Sequence, residues 1–213
     1  YGNNNMSKNE TQVSGYCDSK FEQVKEIFIQ NFAQRNELGA CVCVYKDGEK
    51  VVDLWGGYKD LQKTSLWDEN TIVLMNSVAK SICSISAHIL SDRGLIDLDA
   101  PVCNYWEEFG QAGKEKITVA HVLGHECGAI FSDSANPSDW YSYEKQSAAI
   151  AAQAPAFEAG TNGGYNTVNI GFILGEVIRH VTGKNVGQFI RDEITAPLNA
   201  EYQIGLTDGE TKL

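Results

Sequence analysis

The run GACVCVYKDGEKVVDLWGGYKD, which begins at Gly39, is the only strong β signal in the chain, and it limits the possible folds severely. Two β-rich stretches flank an Asp-Gly pair, the commonest short hairpin turn, and predict an antiparallel hairpin from Ala40 to about Tyr58 that ends or bulges at Gly56 and Gly57. Everything downstream reads as helix and loop. Two strands alone are marginal in water. The sheet must therefore be covered by helices, or completed by a further segment or a second copy.

The helices follow from apolar spacing. Phe21, Val24, Ile27, Phe28 and Phe32 fall on one face of a helix over Ser19–Asn36. After a turn-rich link, Lys59–Asn70, a short apolar stretch leads into a helix that carries Ile82, Ile85, Ile89 and Leu90 on one face and stops at Arg93-Gly94. Thr118 caps a short helix that Gly128 closes. Ser147–Gln153, Val168–His180 and Gln188–Ile194 complete the set. The first eighteen residues are polar and read as an unstructured tail. The domain expectation is thus a tail over 1–18 and one α+β domain over 19–213, with helix and hairpin over 19–60 and a mostly helical region over 61–213. No internal repeat is visible.

Composition excludes several classes of function. With 213 residues the chain can bury a sizeable core, about 70% of its unfolded surface. Its net charge of −11 argues against nucleic acid and against an anionic membrane surface. No apolar run approaches the length of a membrane span, and no signal peptide is visible. The six cysteines form no CxxC pair and read as reduced, buried thiols of a cytosolic-type protein. Two glycosylation-type triplets, at Asn5 and Asn9, point the other way, so the compartment stays open.

The chemistry is concentrated in MNSVAKSICS, Met75–Ser84. Ser77 and Lys80 are three residues apart at the start of a helix that reads as buried, so their side chains are neighbours on one face. A serine hydroxyl becomes a nucleophile when a base takes its proton, and a desolvated lysine can be that base. The helix start adds backbone N–H groups, the Ser77 amide among them, that favour a developing oxyanion. An S-x-x-K match alone is a weak signal.

Other candidates lead elsewhere. His121 and His125 sit at i, i+4 and have the spacing of a metal chelate, but no third ligand stands out, and packed, hydrogen-bonded histidines are the simpler reading. Glu107 and Glu108 diverge on a helix and read as a solvated face. Asp97 and Asp99 precede Pro101 in a turn that their carboxylates would bond. Trp140, Tyr141 and Tyr143 either wall a pocket or cover the core. No G-x-S-x-G or G-x-G-x-x-G occurs.

Taken in order, VYKDGEKVVDLWGGY, NSVAKS, LSDRGLIDLDAPVCNYWEEF, KITVAHVLGHECG, GYNTVNIGFILGEVIRHVTG and APLNA resemble the serine β-lactamase and penicillin-binding-protein superfamily, closest to the class C-type family VIII carboxylesterases. The resemblance runs from about Phe21 to Leu206. It implies a β-lactamase-like fold, an antiparallel sheet flanked by helices plus a mostly helical region. It implies Ser77 as the acylated nucleophile, Lys80 as its general base and Tyr165, in GYNT, as a partner in proton transfer. Thr167 stands where that motif has asparagine, a departure shared with the esterase-like branch that argues against penicillin hydrolysis. Relatives carry a further strand with K-T-G, W-G-G or H-x-G. No K-T-G occurs here, and the WGG at Trp55 belongs to the hairpin, so the sheet reads as incomplete and the chain as the N-terminal part of such an enzyme.

The expectation is a hydrolase of small carboxylic esters, acting through an acyl-enzyme on Ser77, that needs no metal or organic cofactor, with a small ester or amide as substrate and a C-terminal fragment or second copy completing the sheet. Without the second oxyanion donor of that segment, a loss of about 100- to 1000-fold, the 213 residues alone are expected to be weakly active or inactive. The alternatives are a β-lactamase or D-amino peptidase, or a catalytically weak homologue acting as an interaction protein.

Overall fold

A computed structural model describes residues 12–133, 137–139 and 141–205. The expectations for residues 1–11, for the triplets at Asn5 and Asn9 and for Trp140 lie outside the described residues. The chain forms two compact units, Tyr1–Val73 and Leu74–Leu213.

The first unit is a three-stranded antiparallel sheet with one helix on it. β1 (Val13–Cys17), α1 (Glu22–Gln34), β2 (Gly39–Lys46) and β3 (Glu49–Gly57) follow in order, and β3 is the central strand. The hairpin closes at Asp47-Gly48, where both residues have positive φ (53° and 81°), the backbone of the turn whose twist suits paired strands. A bulge follows, because Val44 pairs with Val52 whereas Tyr45 pairs with Lys50. Val52 and Leu54 point into a small core with Phe28 of α1, and Val24, Phe32, Val13, Cys17 and Val42 pack around it.

Three expectations need correction here. The stretch read as tail through residue 18 ends in a strand: Val13–Cys17 pairs with Val52–Gly56, because its alternation puts Val13 and Cys17 on the core side and supplies the third strand the hairpin lacks. The boundary at residue 60 moves to 73. Residues after the hairpin are tied back to the sheet by Trp67 N–H on the Gly57 carbonyl (2.9 Å), Lys59 N–H on the Ser65 carbonyl (2.9 Å) and a Lys59–Asp68 ion pair (2.6 Å). Ile27, assigned to the buried face of α1, is exposed, and Phe28 is the residue of that face that enters the core.

The second unit is helical: α2 (Ala79–Asp92), α3 (Val119–Leu123), α4 (Tyr143–Ala152), α5 (Asn169–Thr182) and α6 (Val186–Ile190), with a π turn at Arg191–Thr195 and a last turn at Ala196–Leu198. α5 is the buried axis: Ile170, Ile173, Leu174, Val177 and Ile178 are all within the core. α2 packs on it with a face that includes the expected Leu90, and Ile89 packs against the same core. Cys83, Ser86, Ala87 and Leu90 are buried, while Ile85 is exposed. Of the four positions expected on that face only Ile85 is exposed, and the small side chains of Cys83, Ser86 and Ala87 fill the rest of the contact. Thr118 caps α3 as expected, but the helix ends at Gly124 rather than Gly128. Gly128 instead has φ +71° and lies against the Phe157 carbonyl so tightly that a Cβ would sit 2.4 Å from that oxygen.

The most unusual core residue is Lys114, fully buried. Its Nζ donates to the carbonyls of Gln111 (2.9 Å), Ala151 (2.8 Å) and Gln153 (2.6 Å), so the ammonium satisfies the C-terminal end of α4. Burial pushes its pKa below the usual lysine value. Replacing it with methionine strands three carbonyls, and hydrogen bonds to a charged group contribute about 1.5–3 kcal/mol. K114M is therefore expected to lose about 2 kcal/mol or more in chemical denaturation followed by circular dichroism; an unchanged midpoint would contradict this assignment.

Candidate active site

Ser77 lies on a 3₁₀ turn, Asn76–Val78, that runs directly into α2. Lys80 is in the first turn of α2, and its Nζ donates to Ser77 Oγ at 3.1 Å. The i, i+3 proximity expected from the spacing is present. Asn76 has φ +47°, a left-handed backbone that costs most L-residues about 1–2 kcal/mol and that asparagine tolerates best among those with a Cβ. Asn76 thus reverses the chain into the turn and fixes the direction in which Ser77 leaves it.

Tyr165 comes from the loop before α5. The Lys80 ammonium lies 5.1 Å from the centre of its ring. Hydrogen bonding with Ser77, then with Lys80, together with the Lys80 charge, holds the phenol below the usual tyrosine pKa. The three residues singled out in the sequence therefore stand in one cluster. Their setting differs from the expectation of a buried segment: Ser77 is exposed, as are Met75 and Val78, Lys80 is half-buried, and Tyr165 is 56% exposed.

A cavity of about 500 Å³ opens beside Ser77 and Lys80. Its wall is mostly apolar, with Cys83, Ile170, Phe172, Val186 and Ile204, and Thr167 and Tyr143 add the polar groups. Tyr143 therefore lines a pocket; its ring lies 5.2 Å from that of Phe172. Burial, then the charge of Glu176, raises its pKa far above the ordinary tyrosine value. Tyr141 is fully exposed.

The loop that presents Tyr165 is held by groups the sequence did not reveal. Asn166 is fully buried. Its Nδ2 donates to the Ala129 carbonyl (3.2 Å) and its Oδ1 accepts from Ile170 N–H (2.9 Å), so it caps the start of α5 from within. Asn169 Nδ2 adds a second bond to the Ala129 carbonyl at 3.1 Å. The two histidines have separate tasks. His121 Nδ1 accepts from Thr118 N–H (3.2 Å) in a capping box, and His125 Nδ1 accepts from Asn166 N–H (3.0 Å). Among the described residues no group of three His, Cys, Asp or Glu side chains is placed to hold a metal. Of the six cysteines, only Cys83 and Cys127 are buried; Cys41 and Cys43 are exposed on the sheet, contrary to the reading of buried thiols, because their strand positions face away from α1.

A family model for Beta-lactamase matches residues 24–210. The chain belongs to the Beta-lactamase family. It is 32% identical over 190 residues to the esterase/beta-lactamase LipL of Mycobacterium tuberculosis, covering 89% of this chain and 44% of LipL. A penicillin-binding-protein homologue from Caulobacter crescentus superposes with a TM-score of 0.89 at 36% identity, over 95% of this chain and 55% of that one. A family VIII carboxylesterase does so with a TM-score of 0.88 at 38% identity, over 94% of this chain and 56% of the esterase. The chain thus spans about half the length of the relatives it matches. The β-lactamase-like fold follows, with a sheet of three strands among the described residues.

The role of Asn76 is testable apart from chemistry. N76G should keep the stability of the wild type to within a few tenths of a kcal/mol, whereas N76V, forced into a left-handed backbone, should lose about 1–2 kcal/mol in denaturant melts. Equal melts for N76V and wild type would remove the conformational argument.

Proposed function

We propose that the chain carries the nucleophilic centre of a serine hydrolase acting on carboxylic esters through an acyl-enzyme on Ser77. The observation that supports this best is the placement of three proton-carrying groups in one cluster: Lys80 Nζ 3.1 Å from Ser77 Oγ and 5.1 Å from the centre of the Tyr165 ring. A lone S-x-x-K pair offers one proton acceptor; here an amine and a phenol stand beside the same hydroxyl.

In the proposed reaction Ser77 Oγ attacks the ester carbonyl carbon, and its proton passes to the Lys80–Tyr165 pair. The tetrahedral oxyanion faces the start of the 3₁₀ turn, where the Ser77 amide is a donor. Collapse of the intermediate breaks the bond to the alcohol, which leaves with the proton held by the pair. Water then attacks the acyl-enzyme, gives its proton to the same pair, and Ser77 departs as the hydroxyl with the carboxylic acid released. The apolar cavity beside Ser77 suits the acyl group of a small ester. Thr167 at the cavity wall, in place of an amide side chain, favours an ester over a β-lactam. The name of the family VIII carboxylesterase supports the same substrate class, and that of LipL carries both esterase and beta-lactamase.

The test is covalent. A fluorophosphonate should add one equivalent to the wild type, on the Ser77 peptide by mass spectrometry, and none to S77A. K80M and Y165F should slow adduct formation by about 100-fold, the low end of what a positioned acid–base group supplies. Adduct absent from a folded wild type, or present in S77A, would refute the assignment. The pH profile carries a sign. Tyr165 loses its proton below the ordinary value near 10, so the labelling rate should rise with pH at a midpoint under 10. K80M, which removes a hydrogen bond and a positive charge, should move that midpoint upward.

A further inference from the structure

One residue touches the whole tripeptide that carries the phenol. His125 has φ +59°, a left-handed turn that brings its carbonyl and its ring to the same side. The carbonyl accepts from Gly164 N–H at 2.9 Å. Nδ1 accepts from Asn166 N–H at 3.0 Å. Between those two bonds, the imidazole lies on the Tyr165 ring, with centroids 4.8 Å apart and planes at 45°. Gly164, Tyr165 and Asn166 are thus held in three different ways by a single side chain and its own peptide. We propose that His125 is the positioning residue for Tyr165, and that a proton on its Nδ1 opens this clamp and withdraws the phenol from Ser77 and Lys80.

The chemistry follows from the direction of one hydrogen bond. An imidazole nitrogen that accepts from a backbone N–H carries no proton, so the ring is neutral with its hydrogen on Nε2. A second proton turns Nδ1 into a donor facing another donor, and the Asn166 contact is lost. It also creates a cation close to Lys80. The titratable and charged groups around the ring are Lys80 from α2, Tyr165 from the loop, His121 in the middle of α3, with its Nδ1 occupied by Thr118 N–H, and exposed Glu126 next in sequence. Burial first, and the Lys80 charge second, push the His125 pKa below its ordinary value. The unfolded chain therefore binds this proton at higher pH than the folded one, and the clamp's contribution declines as pH falls below about 6.5. Acid would disengage Tyr165 while Ser77 and Lys80 remain in their helical register.

The inference rests on Tyr165 being the proton-carrying partner of Ser77, and its test separates the two. Two variants divide the functions of the ring. H125N keeps a residue at ease in the left-handed backbone and offers an amide oxygen as acceptor, without a titration. H125F keeps an aromatic face and removes the acceptor. In the full chain, with tyrosines labelled by carbon-13 at Cζ and Tyr165 assigned through Y165F, the wild-type Tyr165 resonance should move in one step on acidification below about pH 6.5. That step should vanish in H125N, and in H125F the resonance should stand displaced already at neutral pH. A wild-type resonance without an acid step, or a step that survives in H125N, overturns the proposal. Fluorophosphonate labelling supplies the second arm. H125F should slow the Ser77 adduct by about tenfold or more, and H125N should recover most of that loss while flattening the acid limb. Labelling in H125F at the wild-type rate defeats the positioning role and leaves the hydrolytic reading intact. An acid step present in the wild type and lost in H125N, without any Ser77 adduct, supports the clamp and removes the hydrolytic reading.

Discussion

The helical unit is organised around one buried amide side chain. Asn166 lies where three lines of structure meet: the end of the turn after α3, the loop that carries Tyr165, and the first turn of α5. A fully buried amide that finds partners on both its oxygen and its nitrogen is worth keeping, because an unmet polar group in such a place costs about 1–3 kcal/mol. Satisfying it ties the start of α5 to the Ala129 carbonyl, and α2, which follows the serine-bearing turn, packs in the same core as α5. In the Ser77–Lys80–Tyr165 cluster, one group sits on the turn before α2, one on α2, and the third is carried by a loop pinned from beneath.

The division of labour has a physical logic. Ser77 and Lys80 need no tertiary help to meet, since a helical register alone puts side chains three apart within reach. Tyr165 has no such local guarantee. Its exposed phenol is brought to the pair by a loop, and loops hold a side chain in place only when their backbone groups are spoken for. Here they are, by His125 and Asn166, two residues that touch no substrate in the proposed reaction. The sheet unit plays a different part. Its core is small, formed around Val52, Leu54 and Phe28, and one face of the sheet carries exposed Cys41, Cys43, Tyr16 and Tyr45.

What could be read from the sequence follows the range of the interactions involved. The hairpin was legible because Asp47-Gly48 is a local instruction, and α5 because its apolar period is unbroken. Ser77 and Lys80 were legible for the same reason, being one helical turn apart. Tyr165 was not readable from local pattern; it came from the order of several motifs that resemble one family. The strand at Val13–Cys17 was missed because a five-residue edge strand containing serine and glycine looks like tail until its partner is known. On α2 the expected face held at Leu90 and Ile89 but not at Ile85, because the small residues Cys83, Ser86 and Ala87 also occupy the core side. His125 was legible as a packed, hydrogen-bonded histidine, but its partner and the part played by Asn166 were not, since the groups they meet lie about forty positions away in the chain. The one local hint was the asparagine ahead of Ser77, whose left-handed backbone is a conformation that residue type permits.

The central claim is that Ser77, with its proton taken up by Lys80 and Tyr165, forms a covalent acyl intermediate with an ester. Its most direct test is pre-steady-state release of p-nitrophenol from p-nitrophenyl acetate by the 213-residue chain. The account predicts a burst of about one equivalent per chain, absent in S77A, followed by slower turnover as water opens the acyl-enzyme. A folded chain that shows no burst, or a burst of equal size in S77A, would contradict it.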